Sequence, residues 1–279
     1  MRRRFQQVDV FTDEPCLGNP VAVVLDGAGL HVEDMQRFAT WTNLSETTFV
    51  LPSDDPQADY RVRIFTTDAE LPFAGHPTLG TCHAWLTDGG APRQDGVVVQ
   101  QCGIGLVPVR RGRTQLAFAA PPLLRAGPVH DDLLVRIVSV LGIDREEVVD
   151  ASWADNGPGW IAVLLRDASS VLALRPDFGD DRDLYLGVAA LQPEGSPTAL
   201  EVRTFFPSAG AVVEDPVTGS FNASLAQWLL ETGRLRAPYV ASQGATLGRR
   251  GRVHVEQDDV GTVWVGGGTV TCISGEADL

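Results

Sequence analysis

The chain has only four cysteines in 279 residues, Cys16, Cys82, Cys102 and Cys272, and no C-x-x-C pair among them. Neither a disulfide framework nor a cysteine zinc site is expected, and the thiols read as small core residues. No run approaches the ~18 apolar residues that span a bilayer. The start, Met1-Arg2-Arg3-Arg4-Phe5-Gln6-Gln7, has a basic cluster with no apolar run behind it, so it does not read as a signal peptide. Basic clusters such as Arg249-Arg250-Gly251-Arg252 are short, and the net charge is −14. That balance argues against nucleic acid, which is held through its phosphates. There is no G-x-G-x-x-G after a strand and no G-x-x-x-x-G-K-[ST], hence no nucleotide fingerprint. The expectation is a soluble, cytoplasmic protein with neither a membrane nor a nucleic-acid partner.

What the chain does have is a cassette that occurs twice. Gly75-His76-Pro77-Thr78-Leu79-Gly80-Thr81 is echoed by Glu214-Asp215-Pro216-Val217-Thr218-Gly219-Ser220, at an offset of 215 − 76 = 139, half of 279. Each copy follows an Arg-x-Phe strand (Arg63-Ile64-Phe65, Arg203-Thr204-Phe205) and precedes an apolar helix ending in Trp-Leu (Trp85-Leu86, Trp228-Leu229). Val21-Ala22-Val23-Val24-Leu25 also matches Ile161-Ala162-Val163-Leu164-Leu165. A period this long is not a solenoid repeat. It predicts two related domains facing each other across a pseudo-two-fold.

Between the cassettes the pattern is one of short strands and a few helices. Phe5 to Phe11, Val21 to Leu25, Thr47 to Leu51 and Tyr60 to Ile64 read as strands, and Glu33 to Thr42 as an amphipathic helix. The first cassette opens a helix to about Thr87. Strands follow over Gly96 to Gln100, Gly105 to Arg110 and Leu116 to Ala119, then the linker candidate Ala120-Pro121-Pro122. Asp131 to Leu141 is a helix stopped by Gly142, and the second cassette opens one to about Glu231. Irregular mixing of this kind is α+β rather than doubly wound α/β. The domains are drawn at 1–122 and 123–279, with the last strand free to return to the N-terminal domain.

Each cassette places a polar residue, a Pro, a Gly and a hydroxyl at a helix start. Pro suits the first helical position, Asp215 suits the cap, and His76 is an unusual cap. Two helix N-termini aimed at one spot would hold a carboxylate inside an acidic protein. His76 and Asp215 are therefore expected in one interdomain cleft, each at a helix start. His83 shares a helix face with His76, but no third ligand has suitable spacing, so no metal is expected.

Gly18-Asn19-Pro20-Val21-Ala22-Val23, Asn43-Leu44-Ser45-Glu46-Thr47-Thr48-Phe49-Val50, Glu70-Leu71-Pro72-Phe73-Ala74-Gly75-His76-Pro77-Thr78-Leu79-Gly80 and Glu214-Asp215-Pro216-Val217-Thr218-Gly219-Ser220, in this order, resemble the phenazine-biosynthesis isomerase (PhzF-like) family over essentially the whole chain. The resemblance implies a diaminopimelate-epimerase-like fold, two similar α+β domains that each wrap a curved sheet around a central helix. It implies Glu46 as acid/base, supported by His76 and Asp215, with Asn19, Gly75, Thr78, Thr218, Gly219 and Ser220 as the substrate-binding residues. No cofactor is expected. The two-cysteine epimerases of the same fold carry Cys-Gly-Asn-Gly where this chain has Ala74-Gly75-His76-Pro77, so a two-thiol mechanism is absent. Phe221 and Asn222, in place of small residues, are expected to reshape the pocket.

Three readings follow. The first is a cofactor-independent isomerase of a small cyclic or amino-bearing carboxylic acid, with Glu46 taking a proton from carbon and returning it elsewhere. The second is a racemase or epimerase using Glu46 and one of His76 or Asp215 as opposed bases. The third is a small-molecule binding protein that has lost turnover. A homodimer is carried as the expected assembly.

Overall fold

The computed structural model describes residues 1–112, 115–208 and 210–279. In chain order the elements are β1 (Arg2–Val10), β2 (Asn19–Val24), α1 (Val32–Thr42), β3 (Glu46–Leu51), β4 (Tyr60–Phe65), β5 (Glu70–Leu71), α2 (Gly75–Thr87), β6 (Val97–Cys102), β7 (Gly105–Arg111) and β8 (Leu116–Ala119). There follow β9 (Arg125–Pro128), α3 (Asp131–Leu141), β10 (Val148–Asp155), β11 (Trp160–Leu165), α4 (Ala168–Ala173), β12 (Tyr185–Leu191), β13 (Leu200–Ser208) and β14 (Ala211–Glu214). The chain ends with α5 (Gly219–Glu231), β15 (Tyr239–Gln243), β16 (Gly251–Gln257), β17 (Val263–Gly267) and β18 (Thr269–Asp278). This is the α+β mixture that the pattern requires.

Two compact units result, Met1–Ala119 with Gly266–Leu279, and Ala120–Val265. Ala120-Pro121-Pro122, read above as a linker closing the first domain, is grouped with the second unit. The reason is local: Ala120 N–H donates to Val263 O at 2.8 Å, and the Pro121 carbonyl accepts from Gln227 Nε2 at 3.0 Å.

Each unit repeats one topology. In the first, β18, β1 and β2 run antiparallel in turn, β2 lies parallel to β3, β3 antiparallel to β4, β4 parallel to β6, and β6 antiparallel to β7. In the second, β9, β10, β11, β12, β13, β15 and β16 follow the same sequence of senses. Parallel neighbours cannot be joined by a tight turn. The crossovers are α1 and α2 in one unit, and α4 and α5 in the other. The additional helix α3 has no counterpart in the first unit. It ends on Gly142, whose φ of 65° is the left-handed cap expected of that glycine.

The sheet of the first unit is covered on both faces. Helix α2 packs against β1, β2, β3, β6, β8 and β18, while Met35 and Ala39 of α1 pack with Val24, Phe49 and Phe65 on the other side. That is why Val21–Val24 reads as an unbroken apolar run. Helix and strand approach closely through glycine in both units. A Cβ on Gly80 of α2 would lie 2.3 Å from Val21 Cγ1, and one on Gly187 of β12 would lie 2.0 Å from the Phe221 ring.

The Arg-x-Phe strands share a device. Arg63 on β4 donates through Nε and Nη2 to both oxygens of Glu70 on β5, at 2.7 and 2.6 Å. Arg203 on β13 makes the same fork with Glu214 on β14, at 2.9 and 2.8 Å. The second fork is nearly dry, with side-chain exposures of 5% and 14% against 23% and 39% for the first. Arg203 Nη1 also donates to Val171 O and Leu174 O at the C-terminal end of α4. Each fork pins the return strand that leads into a cassette.

Two outcomes are expected. Gly80→Ala should destabilise the protein by about 1–3 kcal/mol through overpacking on Val21, although helix propensity alone would stabilise by ~1 kcal/mol. The sign of the change in denaturant midpoint decides between the two. Glu214→Gln should cost about 3–5 kcal/mol, because Arg203 is left charged and buried, whereas Glu70→Gln at the wetter fork should cost about 0–1 kcal/mol. Equal costs in urea titrations would show that burial does not separate the forks.

Candidate functional site

In the first unit the parallel pairing of β2 with β3 sets Glu46, the first residue of β3, opposite Val21. Asn19 opens β2 opposite Val10. His76 lies in the first turn of α2, whose N-cap is Ala74. These three elements bring Asn19, His76 and Glu46 into one row. Asn19 Nδ2 is 3.4 Å from His76 Nδ1, and His76 Nε2 is 3.2 Å from Glu46 Oε2. The latter contact is short but bent away from a straight hydrogen bond. Catalytic hydrogen bonds are often loose in this way before substrate binds.

Burial of His76 pushes its imidazole down from 6.5 to about 3, and the Pro20 carbonyl, accepting from the ring, acts in the opposite sense. At neutral pH the ring is therefore uncharged, and its contact with Glu46 is one of a neutral imidazole with a carboxyl group rather than an ion pair. Nε2 is turned to Glu46 and Nδ1 to the amide of Asn19, a donor, which suits the tautomer with its proton on Nε2.

Of the other residues expected in this half of the site, Gly75 is the first residue of α2, beside His76. Thr78 is fully buried, and its hydroxyl accepts from Gln100 Nε2 at 3.0 Å. Gln100 in turn accepts from Tyr60 Oη at 3.1 Å. Pro77 is the third helical residue rather than the first, because α2 begins one residue before His76.

In the second unit Asp215 lies between β14 and α5 and is 6% exposed. It does not cap the helix as its residue type suggested. The N-cap is Thr218, three residues later, and its hydroxyl donates to Asp215 Oδ2 at 2.5 Å. The loop of the second cassette is thus longer than that of the first. Gln243 on β15 organises it. Its Oε1 accepts from Thr218 N–H at 3.0 Å and Asn222 Nδ2 at 2.9 Å, and its Nε2 donates to the hydroxyls of Thr204 and Thr218, both at 3.0 Å. Gly219 is the first residue of α5. Ser220 Oγ accepts from Trp160 Nε1 at 3.1 Å, and Ser220 O accepts from Asn156 Nδ2 at 2.9 Å.

Phe221 is fully buried against Gly187, with Trp160 edge-on at a centroid distance of 5.4 Å. It fills the helix–sheet interface of its own unit instead of reshaping a ligand pocket. Asn222 is likewise buried, and its amide is spent on Gln243 and Thr218 O. Gln100 and Gln243 are the site-organising residues that reading the sequence missed. Both are glutamines in apolar strands at an offset of 243 − 100 = 143, close to the cassette repeat, and that spacing was the available signal. Among the described residues no cluster of three or more His, Cys, Asp or Glu side chains could hold a metal ion.

The depressed His76 pKa has a consequence for stability. Between about 3 and 6.5 the unfolded chain carries a proton on this imidazole and the folded chain does not. Stability is therefore fully present above pH 6.5 and declines as the pH falls toward 3, at a slope of at most roughly 1.4 kcal/mol per pH unit from this one group. His83, lowered in the same direction by burial, adds to the total. His76→Asn should flatten the wild-type pH dependence in this window, as measured by urea denaturation at stepped pH. Parallel curves would show that His76 is not the group responsible.

A family model described as phenazine biosynthesis-like protein matches residues 8–275. A trans-2,3-dihydro-3-hydroxyanthranilate isomerase of Pseudomonas aeruginosa is 35% identical, the alignment covering 92% of this chain and 91% of that protein. Antisense-enhancing sequence 1 of Schizosaccharomyces pombe is 34% identical over 98% of both chains. Among solved structures, a PhzF-family protein of Enterococcus faecalis superposes with a TM-score of 0.81 at 27% identity over the full length of both. A probable proline racemase from Agrobacterium radiobacter shares the fold at a TM-score of 0.61 and 13% identity, over 99% of this chain and 93% of that one. The fold expected from the sequence is thus the fold observed, and the chain belongs to the phenazine biosynthesis-like family and is an isomerase.

Proposed function

We propose that this isomerase moves a proton between two carbons of a small carboxylic acid, cyclic or amino-bearing, with Glu46 as the single acid/base and without a cofactor. The observation that carries the reading is the 3.2 Å approach of Glu46 to a neutral, buried imidazole. One carboxyl group that must first take a proton and then return it needs a neighbour that accepts both of its states. With the ring proton on Nε2, His76 donates to the Glu46 carboxylate. When Glu46 takes its proton on the other carboxyl oxygen, Oε2 still accepts from Nε2. The imidazole keeps its own proton throughout, so nothing but the substrate proton moves.

The proton balance closes. Glu46 removes a proton from one carbon, the electron pair delocalises toward an unsaturated neighbour or carboxylate, and the same proton is delivered to another carbon on the same face. Nothing else is gained or lost. The first-turn amides of α2, beside His76, are assigned to the substrate carboxylate. The relative named for a ring acid bearing amino and hydroxyl groups supports the substrate class. The sequence supports the absence of Schiff-base chemistry, for all 22 basic residues are arginine and no lysine is available to form one.

Glu46→Gln keeps the shape of the side chain and removes the titrating group. Turnover of trans-2,3-dihydro-3-hydroxyanthranilate, or of the best substrate in a panel of cyclic and amino-bearing acids, should fall by about 10²–10⁴-fold. The affinity for a bound carboxylate and the melting temperature should change little. Unchanged turnover would defeat the assignment, and so would a variant that unfolds. Running the wild-type reaction in D₂O separates a proton shift, which retains part of the substrate's own label, from an epimerase, which exchanges the α-proton with inversion.

A further inference from the structure

The four thiols are not equivalent. Cys82 is buried on α2, and burial pushes its thiol up to about 12, which leaves it inert. Cys102 is half-buried at the end of β6. Cys16 and Cys272 belong together. Cys16 is exposed in the turn that joins β1 to β2, and its φ of 67° is one that non-glycine residues adopt rarely. Several contacts press this turn against β18. Thr12 N–H donates to Gly268 O at 3.2 Å, and a Cβ on Gly268 would stand 2.0 Å from Asp13 Oδ1. The backbone N–H and the thiol of Cys16 both act on the Cys272 thiol, which places the two sulfurs side by side.

The strand supplies a second, independent sign. Gln7 pairs with Ile273 and Val8 with Thr271, so Cys272 is the extra residue of a bulge in the β1–β18 ladder. A bulge re-aims a side chain that regular pleating would point elsewhere. Here it places a half-buried thiol against an exposed one, 272 − 16 = 256 positions away in the chain.

We propose that Cys16 and Cys272 are a modification site, a thiol pair that closes reversibly to an intramolecular disulfide on reaction with a small-molecule disulfide. Cys16, the exposed thiol, reacts first. Its thiolate attacks one sulfur of RSSR, forms a mixed disulfide and expels RS⁻. Cys272, after releasing its proton to solvent, attacks the Cys16 sulfur and expels the second RS⁻. Two S–H bonds are lost, one S–S bond is gained, and RSSR is reduced to two RSH. The second step joins groups already in contact, so it outruns release of the mixed disulfide. The bond fastens the turn to β18 three residues before Asn19, whose amide reaches His76. Gly18 N–H is itself tied to Asp9 Oδ2 at 2.9 Å, so little slack separates the cross-link from Asn19.

The test uses the full chain. Reduced protein is incubated with excess oxidised glutathione, unfolded, and alkylated with N-ethylmaleimide. Wild type should take up two alkyl groups instead of four, peptide mapping should join Cys16 to Cys272, and dithiothreitol should restore all four thiols. In Cys272→Ser, Cys16 should stop at the glutathione adduct, and Cys16→Ser should form no cross-link. The oxidised wild type should melt above the reduced form, with no such shift in Cys16→Ser. Four free thiols after oxidation, a stable glutathione adduct on wild-type Cys16, a cross-link between other residues or between two chains, or a lower melting temperature on oxidation would each overturn the proposal.

Discussion

A helix buried among strands has to find partners for its first turn inside the protein, because water cannot supply them. Helix α2 is buried from Gly75 through Cys82, and α5 is buried along most of its length. Leaving one buried polar group unmet costs about 1–3 kcal/mol. For the threonine at the start of each helix both units solve this in one way, with a glutamine from the parallel strand that follows the helix. Gln100 donates to Thr78 and Gln243 donates to Thr218, each at 3.0 Å. The positions of His76 and Asp215 follow from these anchors, since each lies within three residues of the threonine so held.

The approach to each helix is governed by charge. A guanidinium presents a planar fork that a carboxylate fits in two places at once, and this chain uses arginine for every basic residue. Arg63 and Arg203 hold the short return strands so that the chain enters each helix in one direction. The drier fork has taken on more. Arg203 also receives the open carbonyls at the end of α4, so one side chain ties β13, β14 and α4 together.

Much of this architecture was legible in the sequence because repetition carries more information than any local propensity. The paired Arg-x-Phe strands, the cassettes and the Trp-Leu helices fixed the duplicated α+β organisation, and the family resemblance singled out Glu46 and His76, which the fold places 3.2 Å apart. What remained hidden was mostly register. A cassette aligned at 139 residues gives no hint that α5 starts five residues further along than its counterpart, which moves Asp215 off the cap and gives that place to Thr218. Phe221 was misread because its ring fills the gap left by Gly187, and the pairing of those two residues depends on sheet geometry. The glutamines were passed over because single polar residues in apolar strands carry no chemistry until a partner is seen.

The close approaches at Gly80 and Gly187 have a further consequence, for recombination. In one half the missing side chain is on the helix and the bulk is on the strand. In the other half the helix brings the bulk, and the strand gives way. The two close approaches fall on different strands, β2 in one half and β12, which corresponds to β3, in the other. A helix moved from one half to the other would therefore bring its gap or its bulk to the wrong strand. Each half has become committed to its own helix, which leaves the duplication visible in topology and no longer reversible in sequence.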